Sequence, residues 1–248
     1  MFDTRFQIVI ADTEESKQIH YKLRCEIYCM DRTFENVREF EDQMEIDEVD
    51  SRSIHFLIRE IETGEWIGTF RMVLPDHDRL PIEKHCDLKE EIMVNLPRTS
   101  IIEVSRLGIA KRFTQRSEGV NDNPSHLTSL VNSHSAVSNL REVSSGVLRA
   151  IWQFSIGKGI ENILFFITPA LARILLSMHI PLRQAGSPCT HKGKRYPYII
   201  HQEKLRSTIE TISSHEGHNF NSLTGYYSYS EFFNNENFCD LNYVTPTS

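Results

Sequence analysis

The most informative segment of the chain is residues 101–109, Ile-Ile-Glu-Val-Ser-Arg-Leu-Gly-Ile. Its β-branched residues predict a buried strand, bounded by Pro97 and by a later polar run. Glu103 and Ser105 lie two residues apart and share one face of a regular strand, whereas Arg106 points to the other face unless the strand bulges. A carboxylate and a guanidinium are unfavourable inside an apolar strand without partners, so this segment predicts a site with further charged residues.

The overall composition limits the classes of function. The chain has 248 residues, of which 40% are hydrophobic, and a net charge of −7. This composition allows a sizeable core and disfavours nucleic acid as a partner. The five scattered cysteines do not resemble a disulfide framework and indicate a reducing compartment. The first residues show no signal peptide and no apolar run approaches a membrane span, so we expect a cytoplasmic protein.

The hydrophobic pattern of the first half predicts a strand, a helix and a hairpin. Residues 6–10 form an apolar strand, after which Asp12 and Glu15 have the spacing of a helix N-cap and its partner. Apolar residues then recur at helical steps, and the predicted buried face consists of Ile19, Leu23, Ile27 and Met30. Residues 54–61 and 66–74 predict an antiparallel hairpin.

The second half predicts a long loop followed by helical crossovers. Residues 115–138 are rich in Ser, Asn and Asp and predict a mobile loop, and Asn139 is the expected cap of the next helix. The remaining predicted elements are a strand at 162–168, a helix at 169–178, a strand at 195–201 and a helix at 203–214. The order predicts one α/β (α+β) domain over residues 1–248, a mixed central sheet flanked by helices, with a C-terminal extension at 202–248.

Charged residues within or beside the apolar elements form a second pattern. The acidic block 41–50 contains no basic residue and predicts a solvated loop. The candidates are three basic and three acidic residues, namely Arg24, Asp47, Asp50, Arg71, Glu103 and Arg106. Such a balanced set suits a small zwitterionic ligand, since Arg binds a carboxylate through two hydrogen bonds and a carboxylate can hold an ammonium group. The pattern alone, however, favours structural ion pairs.

Several motifs follow one another in a distinctive order. They are Leu23-Arg24 with Tyr28, the acids Glu45, Asp47 and Asp50, then His55, Gly68–Arg71, Glu103–Leu107, Pro181–Gly186 and His191–Pro197. Their order and spacing resemble the acyl-homoserine-lactone synthases and the related N-acyl amino acid synthases. The last two motifs resemble the branch associated with exosortase (PEP-CTERM) systems. The resemblance covers about residues 6–200.

This resemblance implies a GNAT-like acyltransferase fold and a specific reaction. An acyl chain on the phosphopantetheine arm of acyl carrier protein would be transferred to the amine of an amino acid, and the N-acyl product would partition into membranes. No Gln/Arg-x-x-Gly-x-Gly/Ala loop follows the Glu103 strand. In GNAT enzymes that loop binds the pyrophosphate of coenzyme A with backbone N–H groups, so its absence favours the carrier protein as donor. No bound cofactor is expected.

The resemblance also suggests a role for each candidate residue. Glu103 is the candidate base, with Ser105 and Arg106 as further catalytic candidates, and backbone N–H groups of 104–106 would hold the oxyanion if the strand bulges. The expected substrate-binding residues are Arg24, Tyr28, Asp47, Asp50 and Arg71. The expected carrier-docking residues are Lys111, Arg112, Arg116, Lys194 and Arg195, although solvated surface explains these basic positions equally well. Phe165, Phe166 and the helix at 171–178 are expected to line the acyl tunnel.

Two other functions remain open at this point. One is an acyl-homoserine-lactone synthase with S-adenosylmethionine as acceptor, and the other is a non-catalytic GNAT-like protein that binds a lipid or an amino acid. No metal site is expected, because neither the Cys25–Cys29 pair nor the His215–His218 pair is accompanied by a second pair at zinc-ligand spacing.

Overall fold

A mixed sheet flanked by helices forms the centre of the structure, as predicted. The structure, a computed structural model, describes residues 2–31, 36–74, 79–116, 134–191, 193–215, 220 and 223–234. The strands are β1 (Phe6–Ile10), β2 (Ser53–Glu60), β3 (Trp66–Val73), β4 (Ile101–Ile109), β5 (Asn162–Ile167), β6 (Arg183–Gln184), β7 (Cys189–Thr190), β8 (Lys194–His201) and β9 (Tyr227–Ser228). Within these residues the sheet order is β6-β8-β5-β4-β3-β2-β1-β9, with β7 beside β8. The β4–β5 and β1–β9 pairs are parallel.

The helices cover both faces of this sheet. They are α1 (Phe2–Arg5), α2 (Glu14–Cys25), α3 (Pro81–His85), α4 (Glu90–Met93), α5 (Lys111–Arg116), α6 (His134–Gly157), α7 (Pro169–Ser177), α8 (Gln202–His215) and α9 (Tyr229–Asn234). Phe70 and Val104 pack with α6 and α8 on one face. Val73 and Ile101 pack with α3 and α4 on the opposite face, where Leu57 packs with α2. None of the helices in the described part of the chain is long and apolar enough to cross a membrane.

The start of α2 differs by one residue from the prediction. Thr13 is the N-cap. Its N–H donates to Ser16 Oγ at 3.0 Å, and the Ser16 N–H donates to Thr13 Oγ1 at 3.1 Å. The predicted cap Asp12 instead binds the C-terminal segment, accepting from Ser228 Oγ and from the Ser230 N–H at 3.0 Å. The prediction was wrong because either side chain can serve as a cap and the sequence does not show which residue a distant strand recruits.

The C-terminal end of α2 also departs from the predicted helical periodicity. Residues Glu26–Asp31 continue α2 as a π-helix. Ile27 and Tyr28 are buried, whereas Met30, predicted to be buried, is 48% exposed. A π-helical turn contains an extra residue, so side chains beyond it rotate away from the face that steps of three and four assign to them.

The third correction concerns the start of α6. The helix begins at His134, so Asn139 is not its cap and residues 134–138 of the predicted loop are helical. Asn139 and Glu142 instead accept hydrogen bonds from Arg5, at 3.0 and 2.6 Å. Residues 117–133 of the predicted loop lie outside the described residues.

Two of the cysteines are bonded, contrary to the expectation of free thiols. Cys86, at the end of α3, forms a disulfide with Cys189 of β7, 103 residues later in the chain. An isolated antiparallel β-bridge between Leu88 and Gly186 brings the two segments together. The sequence does not show this proximity, because the two segments are far apart in the chain. Cys25 and Cys29 are free and buried.

Candidate active site

A cleft opens in the sheet where two strands separate. β4 and β5 pair in parallel only as far as Val104 and Phe165. Beyond that point β4 continues beside β3 to Ile109, while β5 stays beside β8 to Ile167. A cavity of about 570 Å³ occupies this cleft and is lined by residues from both faces of the sheet. Parallel strands that diverge at their carboxyl ends create such a ligand crevice.

A β-bulge directs three side chains of β4 into the cavity. Thr69 pairs with Gly108 and Arg71 pairs with Ser105, so β4 contains one residue more than β3 over this interval. Arg106 lies at the bulge with a φ of +53°. The extra residue returns Arg106 to the face of Ser105, as expected if the strand bulged, and both residues line the cavity with Glu103.

Three arginines from three elements meet the acidic block beside this cleft. Arg24 of α2 is fully buried and donates to Glu45 and, at 2.7 Å, to Asp50. Arg71 of β3 donates to Asp47 and Asp50, both at 2.6 Å. Alternation along β3 brings Arg71 to the α2 and α3 face, because Phe70 and Met72 pack on the other face.

Arg106 completes this ion-pair cluster. Its Nη2 donates to Glu45 at 2.8 Å and to Asp47 at 3.0 Å, and its guanidinium lies 5.6 Å from the ring centroid of Tyr28. The cluster therefore contains three arginines and three carboxylates, namely Arg24, Arg71, Arg106, Glu45, Asp47 and Asp50. Its charges balance, which allows it to be buried.

The prediction that the acidic block is a solvated loop is wrong for two of its acids, and a third, Asp47, is only part exposed. Glu45 and Asp50 are 1% and 6% exposed. Burial raises the pKa of Glu45, but Arg24 and Arg106 outweigh it and hold the pKa at about 2. The same balance, with Arg71 as the main partner, lowers the pKa of Asp47. Sequence reasoning left Glu45 out of the expected site because a local run of acids does not reveal arginines from distant segments.

Arg71 retains a donor for a ligand. Its Nε donates to Ser105 at 3.3 Å and its Nη1 serves both aspartates. Within the described residues Nη2 makes no further hydrogen bond or ion pair, and Arg71 lines the cavity. Arg71 is therefore the arginine of the cluster best placed to bind a ligand carboxylate.

Glu103 lies apart from the ion-pair cluster. It is fully buried, and its Oε2 accepts the N–H of Ile82 at 2.7 Å. Its Oε1 has no hydrogen-bond partner among the described residues, and none of their arginines comes within ion-pair distance. Burial raises the pKa of Glu103 to about 7, because desolvation outweighs the Ile82 N–H and the more distant Arg71 and Arg106. A carboxylate with such a pKa can accept a proton near neutral pH.

Two histidines lie beneath the cluster. His55 Nε2 lies 3.3 Å from the backbone oxygen of Asp50 and 3.3 Å from Tyr21 Oη, and its ring lies 4.7 Å from that of His20. Burial lowers the pKa of His55 to about 4 and the pKa of His20 well below its ordinary value. Both imidazoles are therefore neutral at neutral pH; His55 supports the segment that carries Asp50, and His20 Nε2 lies 3.3 Å from the backbone oxygen of Phe70.

The two ends of the cavity differ in character. The polar end lies on the α2 and α3 face and contains Glu103, Arg71, Arg106 and Asp47. The apolar end lies between α6 and α7 and is lined by Leu140, Val143, Val147, Ala170, Leu171 and Ile174. Of the two phenylalanines expected in the acyl tunnel, Phe166 lines the cavity, whereas Phe165 is fully buried in the core on the α6 face and does not.

The predicted docking residues occupy different positions. Lys111 and Arg195 line the cavity, and Lys194 is exposed with Nζ 5.4 Å from the Tyr196 ring centroid. Arg112 forms ion pairs with Glu26 at 2.8 Å and Glu65 at 2.9 Å and so is engaged within its own chain. The side chain of Arg116 lies outside the described residues.

Comparisons with known proteins identify this architecture. Residues 23–119 match a family model described as an acetyltransferase (GNAT) domain. The chain is similar in structure to the acyl-homoserine-lactone synthase LasI, with a TM-score of 0.54 and 18% identity over 83% of this chain and 94% of LasI. It is also similar to the coenzyme A-dependent acyl-homoserine lactone synthase BjaI, solved with S-adenosylmethionine and isopentyl-coenzyme A, with a TM-score of 0.57 and 16% identity over 86% and 89%.

A third neighbour comes from the related branch. FeeM, an N-acyl amino acid synthase from uncultured soil microbes, has a TM-score of 0.52 and 11% identity over 82% of this chain and 95% of FeeM. No curated protein sequence matches the chain. At these identities the solved structures establish a shared fold.

Proposed function

From the GNAT match at residues 23–119 and the fold shared with acyl-homoserine-lactone and N-acyl amino acid synthases, we propose that the protein is an N-acyltransferase. It transfers a fatty acyl chain from the phosphopantetheine arm of acyl carrier protein to the amine of an amino acid. The observation that carries the proposal is the cavity, which joins a buried carboxylate of raised pKa and a cluster of arginines to an apolar end. The two substrates of this reaction match the two ends of the cavity, because the amino acid is charged and the fatty acyl chain is apolar.

The acceptor amino acid binds at the polar end. Arg71 Nη2 holds its carboxylate, and Tyr28 and Asp47 line the same part of the cavity. Arg24, Arg106, Glu45 and Asp50 keep Arg71 and Asp47 in place through the ion pairs described above. In this role most of the cluster positions the residues that touch the substrate, so structural ion pairing of these charges is compatible with the proposed function.

The chemical step requires the amine nitrogen to lose two protons, one before it attacks the thioester and one as the amide forms. An α-amino group has a pKa of ~8, so at neutral pH much of it must lose a proton before it reacts. Glu103 Oε1 accepts that proton and later releases it to solvent, and the neutral amine nitrogen forms a bond to the thioester carbonyl carbon. The carbon–sulfur bond then breaks, and the pantetheine thiolate takes up the second proton, which the nitrogen loses as the amide forms. Backbone N–H groups beside the bulge at Arg106 stabilise the oxyanion, because the bulged residue has no register partner on β3.

A feature of α5 supports a carrier protein rather than coenzyme A as donor. In GNAT enzymes the helix after this strand binds a pyrophosphate at its N-terminus. Here the Lys111 N–H, at the first residue of α5, donates to Asp31 Oδ2 at 2.6 Å. A carboxylate at this position engages a backbone donor and repels the nucleotide's phosphates. Pantetheine on a carrier protein lacks that nucleotide.

The decisive experiment is an incubation of the protein with acyl carrier protein loaded with mixed acyl chains and with all amino acids, read by mass spectrometry. We expect N-acyl amino acids, and a lower kcat/KM for the matched acyl-coenzyme A. Glu103→Gln should reduce kcat at least a hundredfold, within the range that general base catalysis contributes. Glu161→Gln, the same change at an exposed position, should not. Unchanged turnover in Glu103→Gln would contradict the proposed base.

The fold shared with LasI and BjaI keeps a second candidate, the acyl-homoserine-lactone synthase. A parallel incubation supplies S-adenosylmethionine in place of the amino acids. A lactone product there, without N-acyl amino acids in the first incubation, would replace the proposed acceptor and leave the acyl transfer in place. Binding of both substrates without turnover in either incubation would identify a non-catalytic binder.

A further inference from the structure

The short helix α3 lies directly over Glu103. Its second residue, Ile82, is fully buried and donates its backbone N–H to Glu103 Oε2 at 2.7 Å. Pro81, at the first position of the helix, lines the cavity beside Glu103. The orientation of the carboxylate, with Oε2 toward the helix and Oε1 without a partner among the described residues, therefore depends on where α3 begins.

Glu83 fixes that beginning. Its Oε2 accepts the backbone N–H of Leu80, the residue before the helix, at 2.8 Å. Both of its carboxylate oxygens also accept from Arg98 Nη1, at 2.7 and 2.9 Å. Arg98 stands just before β4, the strand that carries Glu103. Glu83 thus links the first turn of α3 to the base of the strand whose carboxylate that turn binds.

The other end of α3 is also fixed. Cys86 is joined by its disulfide to Cys189, and His85 stacks on His191 with ring centroids 3.7 Å apart. The N–H of Lys89 then donates to the Ala185 oxygen at 2.8 Å. Because this end is fixed independently, a change at Glu83 loosens the first turn without detaching the segment.

We infer that Glu83 is a positioning residue for Glu103, which by capping α3 and binding Arg98 keeps the Ile82 N–H on Oε2 and directs Oε1 to the substrate amine. The inference rests on the proposed function only in naming an amine as the group that Oε1 faces. The contacts among Glu83, Ile82 and Glu103 do not depend on the substrate. Glu83 touches neither substrate nor reacting atoms in this role.

The hydrogen bond from Ile82 and the negative charge of Glu83 change the pKa of Glu103 in opposite directions. Variants that remove one or the other are therefore expected to differ in the direction of the pKa change. The Ile82 N–H lowers the pKa of Glu103, as do Arg71 from β3 and Arg106 from β4, whereas the negative charge of Glu83 raises it by the smallest of these effects. Glu83→Ala removes the cap and releases Ile82, so it raises the pKa. Glu83→Gln retains a capping oxygen and removes only the charge, so it leaves the pKa unchanged or slightly lower.

The experiment is a carboxyl ¹³C NMR titration of glutamate-labelled protein, with Glu103→Gln used to assign the Glu103 signal. We expect Glu83→Ala to raise the midpoint by about one pH unit, as befits loss of a hydrogen bond to a charged group, and Glu83→Gln to lack this rise. The acid limb of kcat/KM should move with the midpoint. Glu142→Gln is the matched control, because Glu142 also binds an arginine, Arg5, and its side chain is 14% exposed against 16% for Glu83.

Each result has a defined meaning. The inference is overturned if the Glu103 titration midpoint in Glu83→Ala equals that of the parent protein or that of Glu83→Gln, even if the melting temperature falls. If Glu83→Ala does not fold, Arg98→Ala, which leaves the capping glutamate but removes its anchor, carries the same expected rise and the same contradiction. An inactive Glu103→Gln with an unmoved midpoint in Glu83→Ala defeats only this inference, whereas a fully active Glu103→Gln defeats the proposed base whatever the titration shows.

Discussion

At the scale of single residues, the buried charges of this protein fall into two groups. Glu45, Asp47 and Asp50 are each met by arginines, and these lower the pKa of Glu45 and of Asp47, which therefore remain ionised. Glu103 is equally buried but has one backbone donor and no arginine partner among the described residues. Paired charges serve as a framework and an unpaired carboxyl can gain or lose a proton, which separates the supporting residues from the reactive one.

This difference predicts how Glu103 affects stability. Its pKa rises from 4.5 to about 7 on folding, so its contribution to stability is complete below pH 4.5 and is lost as the pH rises through 7. Glu103→Gln keeps an acceptor for Ile82 and removes the ionisation. We expect the variant to match the parent protein at pH 4 and to exceed its free energy of unfolding at pH 8 by up to about 3 kcal/mol.

Urea unfolding at the two pH values measures this difference. Glu161→Gln, at an exposed position, should show no such dependence. A Glu103→Gln protein that is less stable than the parent at pH 8 would show that Glu103 is ionised and stabilised in the folded state, in contradiction to its burial without a charged partner.

The sequence was informative about residues on regular strands and less so about the acidic block. The two-residue period predicted that Glu103 and Ser105 share a face of β4, and Arg71 was noted as a charge within an apolar strand. The bulge that would turn Arg106 inward was stated as a condition. Glu45 was named among the motifs but given no role in the site, because its burial depends on Arg24 and Arg106, which are distant in sequence. No local pattern contains that information.

At the scale of elements, the main departures arise where a helix deviates from regular geometry or begins at an unexpected residue. Neither the π-helical turn after Cys25 nor the start of α6 at His134 was apparent from the local sequence pattern. The pairing of α6 with α7 matters more for function, because the apolar end of the cavity lies between them.

The helix α7 should therefore determine the length of acyl chain that is accepted. Ala170 lines the apolar end, so Ala170→Phe reduces its volume, and we expect kcat/KM to fall about tenfold or more for long chains and to change little for short ones. Leu176→Phe on the same helix is the control, because Leu176 is 47% exposed and does not line the cavity. The measurement is kcat/KM across a series of acyl carrier proteins; equal losses at all lengths would contradict this position for the chain.

At the scale of the whole molecule, one cavity passes through the plane of the sheet. The fold class and the mixed sheet were predictable from the order of elements, but the divergence of β4 from β5 was not, since it depends on which neighbour each strand keeps. The disulfide between Cys86 and Cys189 was likewise not predictable from the sequence. It joins segments that only the assembled sheet edge brings together.

The distribution of charge over the molecule leads to the last prediction. The proposed donor, an acidic carrier protein, would approach a chain whose net charge is −7, so we expect it to dock where basic residues surround the cavity, at Lys84, Lys111 and Arg195. Lys111→Glu should raise KM for acyl carrier protein about tenfold at low ionic strength and less at high salt, because screening weakens both the attraction and its reversal. Lys158→Glu changes the net charge equally at an exposed position away from the cavity and should have little effect. Equal effects of the two variants would mean that the carrier responds to total charge, and a stronger effect of Lys158→Glu would place the docking surface on another part of the molecule.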